Sequence, residues 1–175
     1  MAVGDLHETV RYAATYAIAE HYHSDSLTLS LLRDQMLYNQ YSFARTPAIS
    51  GLAKYFNDAP ETFRLIREQL LKEQNKYPRT AIVKALSEYF RDERETFPLL
   101  LDVAATDISP SPTDRRYPEP YYAREAALDA IYRFWPEHPD TMRLLRERAE
   151  NDQTPWLRQT AEEILLKLSL PKSSV

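Results

Sequence analysis

Apolar and polar residues alternate along this chain with the period of an α-helix. Within residues 140–150, apolar side chains recur three and four positions apart, with arginine and glutamate between them. Thr154 is a good N-cap residue and Pro155 suits the first position of a helix. A second apolar stripe follows at Leu157, Ala161, Ile164, Leu165 and Leu168. Each stripe covers one side of a helix, so the pattern predicts two consecutive amphipathic helices, which we name the A helix and the B helix.

This pair returns along the chain with a period of 34 residues. Arg11, Arg45 and Arg79 are 34 positions apart, Arg124 follows 45 positions later, and Arg158 follows after a further 34. One unit therefore carries an insertion of 11 residues. A repeat of this length indicates stacked helical hairpins, because one hairpin cannot bury its apolar side alone.

Four further sets of positions keep the register of these arginines. Seven positions after each arginine stands an aliphatic residue: Ile18, Leu52, Leu86, Ile131 and Leu165. The position before it is small in four units, where we expect close approach of helices: Ala17, Gly51, Ala85 and Ala130. Seventeen positions after the arginine stands a threonine: Thr28, Thr62, Thr96 and Thr141. Eleven positions after each threonine stands a polar residue: Asn39, Glu73, Asp107 and Asp152.

The periodicity predicts an all-α protein with one domain over residues 1–175. Its fold would be a right-handed α-solenoid of about four and a half helical hairpins. The predicted A helices cover residues 27–38, 60–73, 94–106 and 139–150. The predicted B helices cover residues 6–22, 43–56, 77–91, 121–135 and 154–168. Polar residues on the first and last helices suit capping helices, so we expect a complete or trimmed domain, and a fragment of a longer array is the alternative.

The B helices resemble those of HEAT repeats. The stretches 156–161 (Trp-Leu-Arg-Gln-Thr-Ala) and 123–127 (Ala-Arg-Glu-Ala-Ala) are similar to the opening of a HEAT B helix. The resemblance implies a structural ladder between the polar residues and the arginines that joins one repeat to the next. By resemblance, its pairs would be Asp5/Arg11, Asn39/Arg45, Glu73/Arg79, Asp107/Arg124 and Asp152/Arg158.

The A helices carry a second likeness. Residues 139–149 and, more weakly, 60–68 are similar to the C-terminal HEAT arrays of bacterial NACHT/STAND-type NTPases and to stand-alone bacterial HEAT proteins. This resemblance implies a sensor or interaction array. The chain has no Walker A sequence, so NTPase activity is not carried over.

Composition removes several function classes. There is no cysteine, so disulfides, thiolate metal sites and cysteine nucleophiles are excluded. Two glycines are too few for a phosphate-binding loop, and a net charge of −4 disfavours a nucleic-acid partner. The sequence contains no secretory signal and no apolar run that could span a membrane. We expect a cytoplasmic, monomeric protein without a membrane partner.

No group of residues in the sequence has the pattern of a catalytic or metal-binding site. His21 and His23 are two positions apart and diverge on a helix, so they could not share a metal. One His-Glu pair, at His7, falls short of the two pairs that a di-iron HEAT hydroxylase needs. We therefore predict a protein that is not an enzyme, with no catalytic residues, no metal and no cofactor.

Two surfaces are candidates for binding a protein partner or another part of a longer chain. The first is the concave face, formed by the positions one, five and nine after each arginine. From it we select Tyr12, Tyr16, Lys54, Lys84, Glu88, Asp129 and Arg133. Tyrosine and arginine are enriched in binding hot spots. For both surfaces, the alternative interpretation is an ordinary solvent-exposed surface that binds no partner.

The second surface is the insertion at 108–120, where four prolines forbid a regular helix. Its tip offers Arg115, Arg116 and Tyr117. The main interpretation is a protein-binding scaffold. Two alternatives stay open: a chaperone-like protein similar to bilin lyases, and a nucleic-acid binder similar to HEAT proteins of alkylation repair.

Overall fold

The computed structural model describes residues 8–106 and 123–170, and within these ranges the chain forms nine helices and no strand. The helices are α1 (Glu8–His21), α2 (Thr28–Tyr38), α3 (Ser42–Tyr55), α4 (Thr62–Lys72), α5 (Lys76–Tyr89), α6 (Thr96–Thr106), α7 (Ala123–Phe134), α8 (Pro139–Asn151) and α9 (Pro155–Ser169). The prediction of an all-α protein is confirmed. In the predicted scheme the odd-numbered helices are B helices and the even-numbered helices are A helices.

The predicted boundaries differ from the observed ones by a few residues. Differences of two residues occur at the end of α5, which ends at Tyr89, and at the starts of α4 and α6, which begin at Thr62 and Thr96. At both starts the preceding residues form a tight turn, in which the threonine N–H donates to the carbonyl of Ala59 or Glu93. The threonine column therefore marks the first residue of an A helix in three of the four units.

The same turn leads into several A helices. The N–H groups of Asp25, Ala59 and His138 each donate to the carbonyl three residues earlier. The Thr28 hydroxyl donates to the carbonyl of Tyr22 at 2.6 Å, and the Thr141 hydroxyl donates to that of Trp135 at 2.7 Å. These side chains supply partners for carbonyl groups at the ends of B helices, which helical hydrogen bonds leave unsatisfied. The recurrence of this local geometry is the structural counterpart of the 34-residue period.

The helices fall into two compact units, Met1–Asp92 and Glu93–Val175, which we call unit 1 and unit 2. In unit 1, α3 packs between α1 and α5, while α2 packs on α3 and α4 on α5. Its core is aliphatic, and its largest completely buried side chains are Leu32, Met36, Ile49, Ile66, Ile82 and Leu86. This burial supplies the main favourable term in folding.

The described residues of unit 2 form two helical hairpins, in which α6 packs on α7 and α8 packs on α9. Leu100, Leu128, Ile131 and Leu145 are completely buried in its core. The ring of Phe97 lies 5.2 Å from that of Trp135, measured between centroids. The aliphatic position seven after the arginine is buried in α3, α5 and α7, but only partly buried at Ile18 in α1 and at Leu165 in α9.

Gly51 allows α1 and α3 to lie unusually close together. A Cβ atom added at Gly51 would lie 2.6 Å from the Cβ of Ala19 and 3.2 Å from Cδ1 of Leu32. The first distance is shorter than any carbon–carbon contact that packing permits, so only glycine fits without a shift of the helices. This agrees with the expectation that the column of small residues marks close helix approach.

Within the described residues, no helix has both the length and the apolar character needed to cross a membrane.

Candidate functional site

The arginine column forms buried ion pairs with the polar column. In unit 1, Nε of Arg45 donates to Glu73 at 2.7 Å, and Nη2 donates to the other carboxylate oxygen at 2.8 Å. Glu73 lies 28 residues after Arg45, in the next repeat, and its side chain is 3% exposed. The two-pronged geometry matches the planar guanidinium to the carboxylate and is the strong form of this contact.

Unit 2 repeats the arrangement with aspartate. Arg124 donates through both Nη atoms to the carboxylate of Asp152, whose side chain is completely buried. Arg148 donates to the same carboxylate at 3.2 Å, and the N–H of Thr154 donates to it at 2.9 Å. Burial opposes ionisation of Asp152, but the bonds from Thr154 and Arg124 and the charges of Arg124 and Arg148 outweigh it and lower the pKa.

The register of this ladder differs from the predicted one. We expected Glu73/Arg79 and Asp152/Arg158 pairs, six residues apart. Instead Arg79 and Arg158 donate to the backbone carbonyls of Glu73, at 3.2 Å, and Asp152, at 2.5 Å. The carboxylates of these acids bind the arginine of the preceding repeat, 28 residues earlier.

The remaining expected pairs have different outcomes. For Asn39/Arg45, the Arg45 Nη1 donates to the Asn39 backbone carbonyl at 2.9 Å. The other two pairs involve Asp5 and Asp107, which lie outside the described residues.

The first repeat replaces the acid of the ladder with an amide. The residue 28 positions after Arg11 is Asn39, whose side chain binds Gln35 and the N–H of Tyr41. Arg11 is 2% exposed, and its guanidinium carbon lies 3.6 Å from the centroid of the Tyr41 ring. This is a cation–π contact in a desolvated setting, where such contacts are strongest.

Most of the positions chosen as the first binding candidate are exposed in each of the two units. We call the positions one, five and nine after each arginine the B-helix stripe. Within it Tyr12, Tyr16, Lys54, Lys84, Glu88, Asp129 and Arg133 are all exposed, as are Ser50, Gln159, Glu163 and Lys167. Thr80 is a correction: we placed it on the solvent-exposed stripe, but it is buried, and its hydroxyl donates to the carbonyl of Lys76.

Two tyrosines stand together at the first helix of the stripe. The rings of Tyr12 and Tyr16 are nearly parallel, with an angle of 6° between them and 6.4 Å between centroids. They are 40% and 49% exposed. Their spacing of one helical turn places both rings on the same side of α1. They form a preordered aromatic surface that faces solvent.

Next to these tyrosines lies a cluster of four polar and aromatic side chains that joins α1 to α3. Lys54 donates to Glu20 at 3.1 Å, and the Tyr55 hydroxyl donates to the same carboxylate at 2.5 Å. The His23 ring stacks on Tyr55 with centroids 4.4 Å apart. The bonds from Tyr55 and Lys54 lower the pKa of Glu20, and the bond to Glu20 raises the pKa of Tyr55. A ligand on the stripe would therefore meet a paired Lys54.

In unit 2 the stripe carries an internal ion pair. Arg133 lies 3.7 Å from the carboxylate of Asp129, one turn earlier on α7, and its guanidinium sits over the Phe134 ring at 5.2 Å. Both charged side chains are more than half exposed, so the pair contributes little to stability. It remains available to a partner.

The sequence missed residues that surround the predicted site. Tyr41, His23 and Tyr55 fall outside the columns from which we selected the stripe. An aromatic residue ten positions after the arginine recurs at Tyr89, and this signal could have identified Tyr55. The second predicted surface, at 108–120 with Arg115, Arg116 and Tyr117, lies outside the described residues. Among the residues described, no three His, Asp or Glu side chains form a group that could hold a metal.

Comparison with known protein families, with curated proteins and with solved structures gave no match for this chain.

Proposed function

We propose that this protein is a non-catalytic scaffold that binds a protein partner through the B-helix stripe. Under this proposal the helix pairs belong to a right-handed solenoid of HEAT type, working in the cytoplasm as an interaction or sensor module. The repeated A–B hairpins, the ladder between repeats and the repeated turns support such an assignment.

The exposed tyrosine pair carries the proposal. Large side chains of a single helix usually bury their apolar surface in the core, yet Tyr12 and Tyr16 present nearly parallel rings to solvent. The equivalent positions of the next helix are Thr46 and Ser50, so the repeat itself does not require aromatic residues there. Tyrosine supplies a large contact area at low cost in conformational entropy, which is why it is common in binding hot spots.

The charged part of the stripe supports a protein partner over nucleic acid. In unit 1 the exposed charges of Lys54 and Lys84 are accompanied by Glu20 and Glu88, and in unit 2 Arg133 is paired with Asp129. Phosphate backbones are bound by clusters of lysine and arginine without interleaved acids. Mixed charge of both signs fits the polar rim of a protein interface.

A position-specific photo-crosslinking experiment tests the proposal. The photoreactive amino acid p-benzoylphenylalanine is placed at Tyr16 or Lys84 on the stripe, and, as matched controls, at Tyr38 or Leu71 on A helices. The control side chains are 78% and 74% exposed, so accessibility does not explain a difference. In extract of the source organism, we expect a discrete protein adduct from the stripe positions that excess unlabelled protein suppresses.

The captured protein is then purified and its affinity measured. We expect the double substitution Tyr12→Ala/Tyr16→Ala to weaken binding at least about tenfold, equivalent to about 1.4 kcal/mol. Tyr38→Ala is the control and should leave the affinity unchanged. Adducts formed at the A-helix positions and not on the stripe, or an unchanged affinity of the double variant, would overturn the proposal.

A further inference from the structure

One side of α1 is exposed although the equivalent sides of α3 and α5 are buried. On α3 this side consists of Ala44, Pro47, Ala48 and Gly51, and on α5 of Pro78, Ala81, Ile82 and Ala85, all buried. The equivalent residues of α1 are Val10, Ala13, Ala14 and Ala17. Val10 is 44% exposed, Ala13 is exposed, and the other two are half-buried. These four positions lie three and four apart and share one side of the helix, which we call the lateral face of α1.

The packing in unit 1 identifies what normally covers this side. On α3 it receives α1, because the backbone of Gly51 meets Ala19. The residues on the other side of α1, Thr15 and Ala19, are 1% and 3% exposed. One side of α1 therefore packs against the next B helix, α3. Among the described residues, no further B helix packs against the lateral face of α1.

The chemistry of the lateral face restricts its partner. None of its four side chains is charged, and three are alanines, so a helix can approach closely but gains only apolar contacts. The helix that covers this side of α3 presents a small residue, Ala19, at the closest point. On α3, Ala53 is the residue equivalent to Ala19 and lies on the side that packs against α5. Ile49 lies one turn earlier on that side, and both residues are completely buried.

We propose that the lateral face of α1 binds an amphipathic helix of a protein partner, which continues the packing of α1, α3 and α5. The partner's helix carries a small residue where it crosses Ala17. One turn before that small residue it carries an aliphatic residue. The proposal is independent of the B-helix stripe, because it uses different residues of α1.

Head-to-tail stacking of a second copy of this chain fits the lateral face poorly. The onward side of α9 carries Glu162 where α3 has Ile49, and Leu166 where α3 has Ala53. Stacking α9 of one copy on α1 of another would bury an uncompensated carboxylate, which is costly. It would also place a large side chain where the established contact uses a small one.

A synthetic helix taken from this chain serves as the probe. It is a fluorescein-labelled peptide of residues 42–56, in which Pro47→Ala favours a helix while Ile49 and Ala53 are retained. Fluorescence anisotropy with the full chain should show saturable binding with a Kd below about 1 mM. Ala13→Glu in the chain, or Ile49→Glu in the peptide, should weaken binding at least tenfold. Ser50→Glu in the chain is the control and should bind the peptide as the unmodified chain does.

The outcomes separate the alternatives. Ala13 is exposed, so the glutamate does not disturb the core, and Val10→Glu provides a second variant of the same face. Absence of saturable binding up to about 1 mM peptide, or equal binding by both lateral-face variants, overturns the proposal. Light scattering that shows a concentration-dependent dimer, lost in Ala13→Glu, would assign the face to self-association and also overturn it.

Discussion

The carboxylate of Asp152 binds the guanidinium of Arg124, 28 residues earlier, while its backbone carbonyl accepts a hydrogen bond from Arg158, six residues later. One residue thus contacts the arginine of its own repeat through the main chain and the arginine of the preceding repeat through the side chain. Asp152, and Glu73 through its equivalent contacts with Arg45 and Arg79, therefore fix the register between two repeats.

Asp152→Asn should destabilise unit 2 by about 3 kcal/mol, because it leaves the partly buried Arg124 and Arg148 without their anion. Both tryptophans, Trp135 and Trp156, lie in unit 2, so their fluorescence during urea denaturation follows that unit. Asp129→Asn, which removes an exposed pair, is the matched control and should change stability by less than about 0.5 kcal/mol. Equal effects of the two substitutions would contradict the structural role of the ladder.

The stability of unit 2 should fall in acid because of the same residue. The pKa of Asp152 is lower in the folded protein than the ordinary aspartate value of about 3.9. Its contribution is therefore complete above that ordinary value and is lost as the pH falls through the lower folded pKa. Urea denaturation at a series of pH values should show a shallower loss of stability below about pH 4 for Asp152→Asn than for the unmodified protein. Identical acid slopes would refute this assignment.

Gly51→Ala should destabilise unit 1 although alanine is the better helix former. The propensity gain is about 1 kcal/mol. The added Cβ would lie 2.6 Å from that of Ala19, and overpacking of this kind typically costs about 1–3 kcal/mol. Thermal denaturation followed by circular dichroism measures the net effect, and Ala19→Gly in the same chain should recover part of the loss. A more stable Gly51→Ala variant would show that α1 and α3 are farther apart than described.

The threonine column offers a matched pair of substitutions. Thr141→Val removes a buried hydrogen bond to the carbonyl of Trp135 and should cost about 1 kcal/mol. The Thr62 hydroxyl is also buried but has no hydrogen-bond partner among the described residues, so Thr62→Val should be neutral or stabilising. Urea denaturation of both variants, followed by circular dichroism, decides between them. If Thr62→Val were the more damaging change, the described hydrogen bonding of this column would be wrong.

The sequence predicted the helices well because their signals are local. Apolar spacing placed the helices of the described residues to within a few residues, and the column of small residues predicted the close contact at Gly51. The helix signals depend on residues within one or two turns of a helix, whereas the contact at Gly51 was predicted from the repeat. The exposure of the stripe followed in the same way, except at Thr80, which is buried, and at Glu20, Thr46 and Glu125, which are half-buried.

The pairing of the ladder could not be derived from the repeat. Asn39 and Glu73 belong to the same column, 34 residues apart, so an arginine at position 45 is in register with both. Three-dimensional packing decides that the carboxylate of Glu73 faces Arg45. The contacts of Tyr55 with Glu20 and His23 arise from the same packing of α1 on α3, which no spacing within one helix encodes.

A pair of double-mutant cycles in unit 1 tests most directly whether the repeats are joined in this register. One cycle combines Arg45→Met with Glu73→Gln, and the other combines Arg79→Met with the same Glu73→Gln, each followed by urea denaturation and circular dichroism. We predict a coupling free energy of about 1–3 kcal/mol between Arg45 and Glu73, and less than about 0.5 kcal/mol between Arg79 and Glu73. A larger coupling for Arg79 than for Arg45 would contradict the account.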